Sequence, residues 1–103
     1  MDWKHEHIAC LIANQMGVSY AECITGHRSW DHSNARAVIG YTLNICLGNT
    51  MKETIKAIGV KCSMTVYIAS RNLRAGQYDE FVPGGDAQAY ARKMAELASE
   101  VEA

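Results

Sequence analysis

The sequence predicts an all-α fold: a compact helical domain with a helix-turn-helix at about 50–73 and an additional C-terminal helix at about 86–101. Three observations predict it. Apolar residues recur at helical spacing in successive segments. Each segment is opened by a capping residue and most are closed by glycine. No segment shows the strict alternation of a half-buried strand. At 103 residues the chain is the size of one domain able to bury a core unaided, so residues 1–103 are read as a single unit, with 75–85 as the connector to the last helix.

The elements follow in order. Asp2 is placed to cap a first helix at about 3–16, with Ile8, Leu11, Ile12 and Met16 at helical spacing and Gly17 at its C′ position. Ser19-Tyr-Ala-Glu22 has the pattern of a capping box and opens a short helix to about Thr25. The polar run from Gly26 to Ser33 breaks the periodicity. It returns from Asn34, with Val38, Ile39, Leu43, Cys46 and Leu47, and stops at Gly48-Asn49. Thr50-Met-Lys-Glu53 is a second capping box, opening a helix with Ile55 and Ile58 that ends at Gly59. Val60, Lys61 and Cys62 make a turn, and a further helix runs to about Leu73 with Val66, Ala69, Ser70 and Leu73 on one side. A short helix, a glycine-initiated turn and a second helix make up the helix-turn-helix pattern. In the connector, Phe81-Val82 is expected to fold back on the body. Asp86 caps a last helix whose Tyr90, Met94, Leu97 and Val101 form a narrow apolar stripe among alanines. The stripe is expected to pack on its own domain, with a dimer contact through this helix as the alternative.

Composition narrows the function classes. Hydrophobic residues make up 49% and charged residues 20%, which leaves little room for a disordered tract. No apolar run is long enough to span a membrane, and the N-terminus lacks the basic-then-apolar order of a signal peptide, so a cytoplasmic protein is expected. Cys10, Cys23, Cys46 and Cys62 contain no C-x-x-C pair and are read as free, mostly buried thiols. No metal or cofactor is expected, since neither the cysteines nor His5, His7, His27 and His32 carry a ligand pattern. No base stands at a readable spacing from a nucleophile, so no enzyme is expected.

The net charge of −1 conceals an uneven distribution. Residues 1–22 carry −2 and residues 75–103 carry −4, whereas residues 23–74 carry +5. That middle segment holds Arg28, Arg36, Lys52, Lys56, Lys61, Arg71 and Arg74 against Asp31 and Glu53. A basic segment coinciding with a helix-turn-helix is what phosphate contact requires.

From about Ile8 to Leu73, two-thirds of the chain, the sequence resembles the C-terminal DNA-binding domain of the bacterial replication initiator DnaA, a helical fold shared with the Trp repressor. The segment Ala57-Ile-Gly-Val-Lys-Cys-Ser-Met-Thr-Val-Tyr-Ile-Ala-Ser-Arg71 aligns without a gap to a family signature that reads roughly A-F-G-G-R-D-H-T-T-V-L-H-A-C-R. The loop His27-Arg-Ser-Trp30, the Ala35-Arg36 pair and Thr50-x-x-Glu53 fall in step with it. The resemblance implies that Arg28 and Arg36 serve the minor groove and backbone, that Lys61 holds phosphate at the mouth of the recognition helix, and that Thr65 contacts base or phosphate. Cys62, Ser63 and Met64 replace the family's aspartate, histidine and first threonine, so Ser63 and Met64 reach base edges with different chemistry and the family's usual site is not expected to be recognised. Lys52 stands where the family has a proline, and Trp30 replaces a loop arginine, as either a core or loop anchor or an exposed wedge. The chain has no G-x-x-x-x-G-K-[ST], so no ATPase of its own is expected.

The function expected is double-stranded DNA binding through Arg28, Arg36, Lys52, Lys61, Ser63, Met64 and Thr65, as a small regulator or replication-related factor. The alternative is a protein-interaction or inhibitor module that kept the fold and lost DNA binding, for which the acidic C-terminal segment speaks.

Overall fold

The computed structural model describes residues 3–100. Six α-helices occur among them and no strand: α1 (Trp3–Gln15), α2 (Tyr20–Ile24), α3 (Trp30–Tyr41), α4 (Met51–Ile58), α5 (Ser63–Arg74) and α6 (Ala87–Glu100). The all-α fold with an α4–turn–α5 unit and an added last helix is as the sequence predicts. Asp2 and Val101, expected at the ends of the first and last helices, lie outside the described residues.

The core forms around α3, which is buried on nearly every side from Asn34 to Tyr41 and packs on α1, α2, α4, α5 and α6. One face of α1 supplies Ile8, Ala9, Ile12 and Ala13, residues spaced so that they fall on adjacent turns. The helix closes with paired bonds, Val18 N–H to Ala13 O at 3.0 Å and Gly17 N–H to Asn14 O at 3.1 Å, around a left-handed Gly17. Gly40 is the point of closest approach within the core. A Cβ there would lie 3.3 Å from Ile58 Cδ1 and 4.0 Å from Val66 Cγ1, so its absence lets α3 meet α4 and α5.

Two boundaries differ from expectation. The capping box at Ser19 does not form: Ser19 has the extended backbone of a cap, but its side chain accepts no helix N–H. Glu22 turns instead toward His32 Nε2 at 3.2 Å and His27 Nε2 at 3.6 Å. The third helix begins at Trp30, four residues before the apolar periodicity resumes, because Ser29 Oγ accepts from His32 N–H at 3.1 Å and caps it. Its far end also departs from the expected regular helix. Thr42–Cys46 widens into a π-helical turn, with Leu47 N–H bonding to Thr42 O at 3.0 Å. Asn49 holds that turn by donating to Leu43 O at 3.0 Å and to His5 Nδ1 at 2.9 Å.

The second capping box is formed as expected. Thr50 Oγ1 accepts from Glu53 N–H at 3.1 Å, and Glu53 Oε1 accepts from Thr50 N–H at 3.2 Å. These bonds hold the Glu53 carboxyl below its usual range. In the connector, a 3₁₀ turn at Asp79–Phe81 leads to buried Val82, so the pair Phe81-Val82 does fold back. Asp79 Oδ1 and Asp86 Oδ1 accept from Ala87 and Ala89 N–H at 2.8 and 3.1 Å, joining the connector to α6.

Tyr90, Met94 and the alanines at 87, 91, 95 and 98 are buried, and α6 packs on α1 and the π-helical turn. Of the stripe expected to pack inward, Tyr90 and Met94 are thus in the core and Leu97 is half-buried. The cysteines are all free, but only Cys23 is buried. Cys10 and Cys46 are half-buried and Cys62 is exposed, a correction to the expectation that most are interior.

Candidate nucleic-acid interface

The segment Thr54–Tyr78 contains no acidic residue and carries Lys56, Lys61, Arg71 and Arg74. It spans most of α4, the turn and all of α5. Its turn is fixed by Gly59, which caps α4 in the left-handed region at φ +71° and lies so close to α2 that an added Cβ would be 2.3 Å from Ile24 O. That approach places the end of α2, and the loop after it, beside the mouth of α5.

The same loop is tied from the other side by Arg36. Its Nε donates to Cys23 O at 3.0 Å and its Nη2 donates to His27 O. Two of the five guanidinium N–H donors are thereby spent on the backbone. Arg36 is a half-buried clamp on the loop as well as a cation, a role its expected contact with DNA did not include. Glu22, His27 and His32 add a second tie, with the two imidazoles 5.4 Å apart. Arg28 projects from the loop so held; it is exposed and has no carboxylate partner among the described residues.

Arg28, Arg36, Lys61 and Thr65 line one cleft of about 630 Å³, floored by Ile24, Thr25 and Val60. The structure therefore brings together four of the seven residues expected at the site. Ser63 and Met64 adjoin it on the exposed first turn of α5. Cys62 supplies no side-chain cap there, and its carbonyl accepts from Thr65 N–H at 3.2 Å. Lys52 is not brought in. It lies with Lys56, Glu6 and Glu53 in a separate groove that Ile24 also lines.

Sequence reasoning missed part of α5. With Val66, Ser70 and Leu73 buried, the opposite face presents Met64, Tyr67 and Ile68 at 57%, 60% and 43% exposure, followed by exposed Arg71. The signal was the same periodicity that gave the inward side: 64, 67, 68 and 71 are its complement. Trp30, at 71% exposure, points outward and meets Phe81 edge to face, centroids 6.5 Å apart. It is not a core anchor. Among the described residues no group of three or more His, Cys, Asp or Glu side chains is arranged to hold a metal ion, and no helix is long and apolar enough to cross a membrane. Comparison with protein-family models, curated proteins and solved structures finds no match to this chain.

Proposed function

We propose that this chain binds double-stranded DNA, with α4, the turn and α5 acting as a helix-turn-helix of the kind the replication initiator's DNA-binding domain uses. The observation that carries the reading is the single cleft shared by Arg28, Arg36, Lys61 and Thr65 at the mouth of α5. A recognition helix lies in a major groove while a neighbouring loop cation reaches the flanking minor groove or backbone, so both must face one surface. Here α5 and Arg28 do. The 12 residues of α5 extend about 18 Å, enough to cross a groove about 12 Å wide. Lys61 holds phosphate at the helix entrance, Arg28 serves the minor groove, and the first turn of α5 meets the bases. A small regulator or replication-related factor in the cytoplasm is the role that fits, with a site different from the family's own because Ser63 and Met64 replace its reading residues.

The test is a duplex titration at about 50 and about 200 mM salt. Binding should be weak and fall steeply with salt, because only a few phosphates are contacted. Lys61→Ala should weaken all sequences about equally and lower the salt slope by roughly one. No shift on any duplex at about 50 mM salt would overturn the proposal. It would leave the second reading, a protein-interaction module, which the exposed Trp30 favours.

A further inference from the structure

The outward face of α5 is unusual for a helix end ringed by cations. Met64, Tyr67 and Ile68 stand at i, i+3 and i+4, on one surface opposite the buried Val66, Ser70 and Leu73. Lys61 lies before this apolar patch and Arg71 after it, with Arg28 across the cleft, and no carboxylate occurs anywhere between Thr54 and Tyr78. A flanking field of one sign suits a polyanion.

The major groove offers hydrogen-bonding edges on every base pair and one apolar group, the C5 methyl of thymine. Side chains that pair with guanine are Arg or Lys, with adenine Asn or Gln, and with cytosine Asp or Glu. From Ser63 to Ser70, the first two turns of α5 carry none of these; Arg71, Asn72 and Arg74 come only in its last turn. Its exposed positions in that stretch are two small hydroxyls, at Ser63 and Thr65, the ring and phenol of Tyr67, and two apolar side chains, Met64 and Ile68.

Resting on the reading of this surface as a DNA interface, we propose that Met64 and Ile68 select DNA by packing on thymine methyl groups in the major groove. The rise from position 64 to 68 is about 6 Å along the helix. That covers two or three adjacent base pairs at about 3.4 Å each. The preferred site therefore contains a short thymine-bearing run beneath the first two turns of α5, and Lys61 at the helix entrance sets affinity without selecting sequence.

The experiment selects bound duplexes from a random pool with the full chain. The enriched duplex is then remade with deoxyuridine in place of thymine, which removes only the methyl groups. Affinity should fall about fourfold for each thymine methyl taken out of the interface, the equivalent of one buried CH₂ at about 0.8 kcal/mol. The double variant Met64→Ser/Ile68→Ser alters exposed positions only, and its fold is checked by circular dichroism. It should still bind duplex in a salt-dependent way and treat the thymine and deoxyuridine duplexes alike. Equal affinity of the unmodified protein for both duplexes overturns the inference while duplex binding itself stands. Discrimination that persists in the double variant also overturns it, because the selection would then lie in DNA shape. Failure to bind any duplex at about 50 mM salt removes the DNA reading and this inference together.

Discussion

Replacing Gly59 with alanine places a methyl carbon 2.3 Å from Ile24 O, 2.7 Å from Ile24 C and 2.8 Å from Cys23 O, all of them backbone atoms that no rotamer change can move. Two costs add. The left-handed conformation at φ +71° disfavours any L side chain by about 1–2 kcal/mol, partly offset by about 0.4–1 kcal/mol from stiffening the unfolded chain. The overlap must then be relieved by pushing the end of α2 away from the turn, at a cost of about 1–3 kcal/mol for overpacking. That movement also strains the bond from Tyr20 Oη to Ala57 O, 2.7 Å long, which joins α2 to α4. A destabilisation of about 2–4 kcal/mol results. Gly48 is the internal control, since it has nearly the same conformation, φ +73°, with nothing within 4 Å of an added Cβ. Gly48→Ala should cost only about 1 kcal/mol, the conformational part alone. Urea denaturation of both variants reads the difference as a shift in midpoint at unchanged slope. Equal destabilisation at the two positions would refute the close approach of α2 to the turn, and with it the geometry that builds the cleft.

Arg28→Ala should weaken duplex binding by about 1–3 kcal/mol. Arg92→Ala, in a groove with Tyr41 and Cys46 on another part of the surface, should change it little; equal effects in a titration would remove the docking face. Arg36→Ala should lower both stability, by about 1–2 kcal/mol for the removal of two charge-assisted bonds at a half-buried site, and duplex affinity, because the loop carrying Arg28 is released. Hydrogen exchange at residues 25–29 should speed up in that variant, and unchanged exchange would argue against the clamp. Burial pushes the Tyr20 and Tyr90 phenols up to about 12, from 10.0. Below pH 10 both are neutral folded or unfolded; between about 10 and 12 the unfolded chain loses protons that the folded chain keeps, so stability falls as pH rises through that window. The slope approaches about 1.4 kcal/mol per pH unit from Tyr90 alone, with less from the partly exposed Tyr20, and Tyr90→Phe should flatten it in a pH series of denaturation curves.

Where a boundary depends on residues next to it, the sequence reveals it. Thr50, Glu53 and Gly59 mark both ends of α4, and the caps work as their pattern implies. Ser19 and Glu22 have the same pattern and fail, because Glu22 is drawn away by two histidines that follow it; local spacing does not register that competition. The first turn of α3 was hidden for a related reason. Its Trp30, Asp31 and Ser33 face solvent, so the turn has no apolar periodicity to read, although Ser29 was a competent cap. That Arg28, Arg36, Lys61 and Thr65 would share one cleft follows from their places in the expected loop and helices. The separation of Lys52 does not, since it depends on Ile24 from a different helix, which lines both grooves.

The widened turn at Thr42–Cys46 has a consequence for how this chain tolerates changes in length. A π-helical turn holds one residue more than the α-helical turn it replaces while keeping the helix in phase on either side. Residues 42–46 are therefore the place in this helix where a single-residue deletion would leave Val38 and Ile39 still facing inward and Thr50 still in position to start α4. A deletion one turn earlier would rotate every later side chain by about 100° about the axis. The bonds from Asn49 to Leu43 and His5 fasten the widened turn to α1.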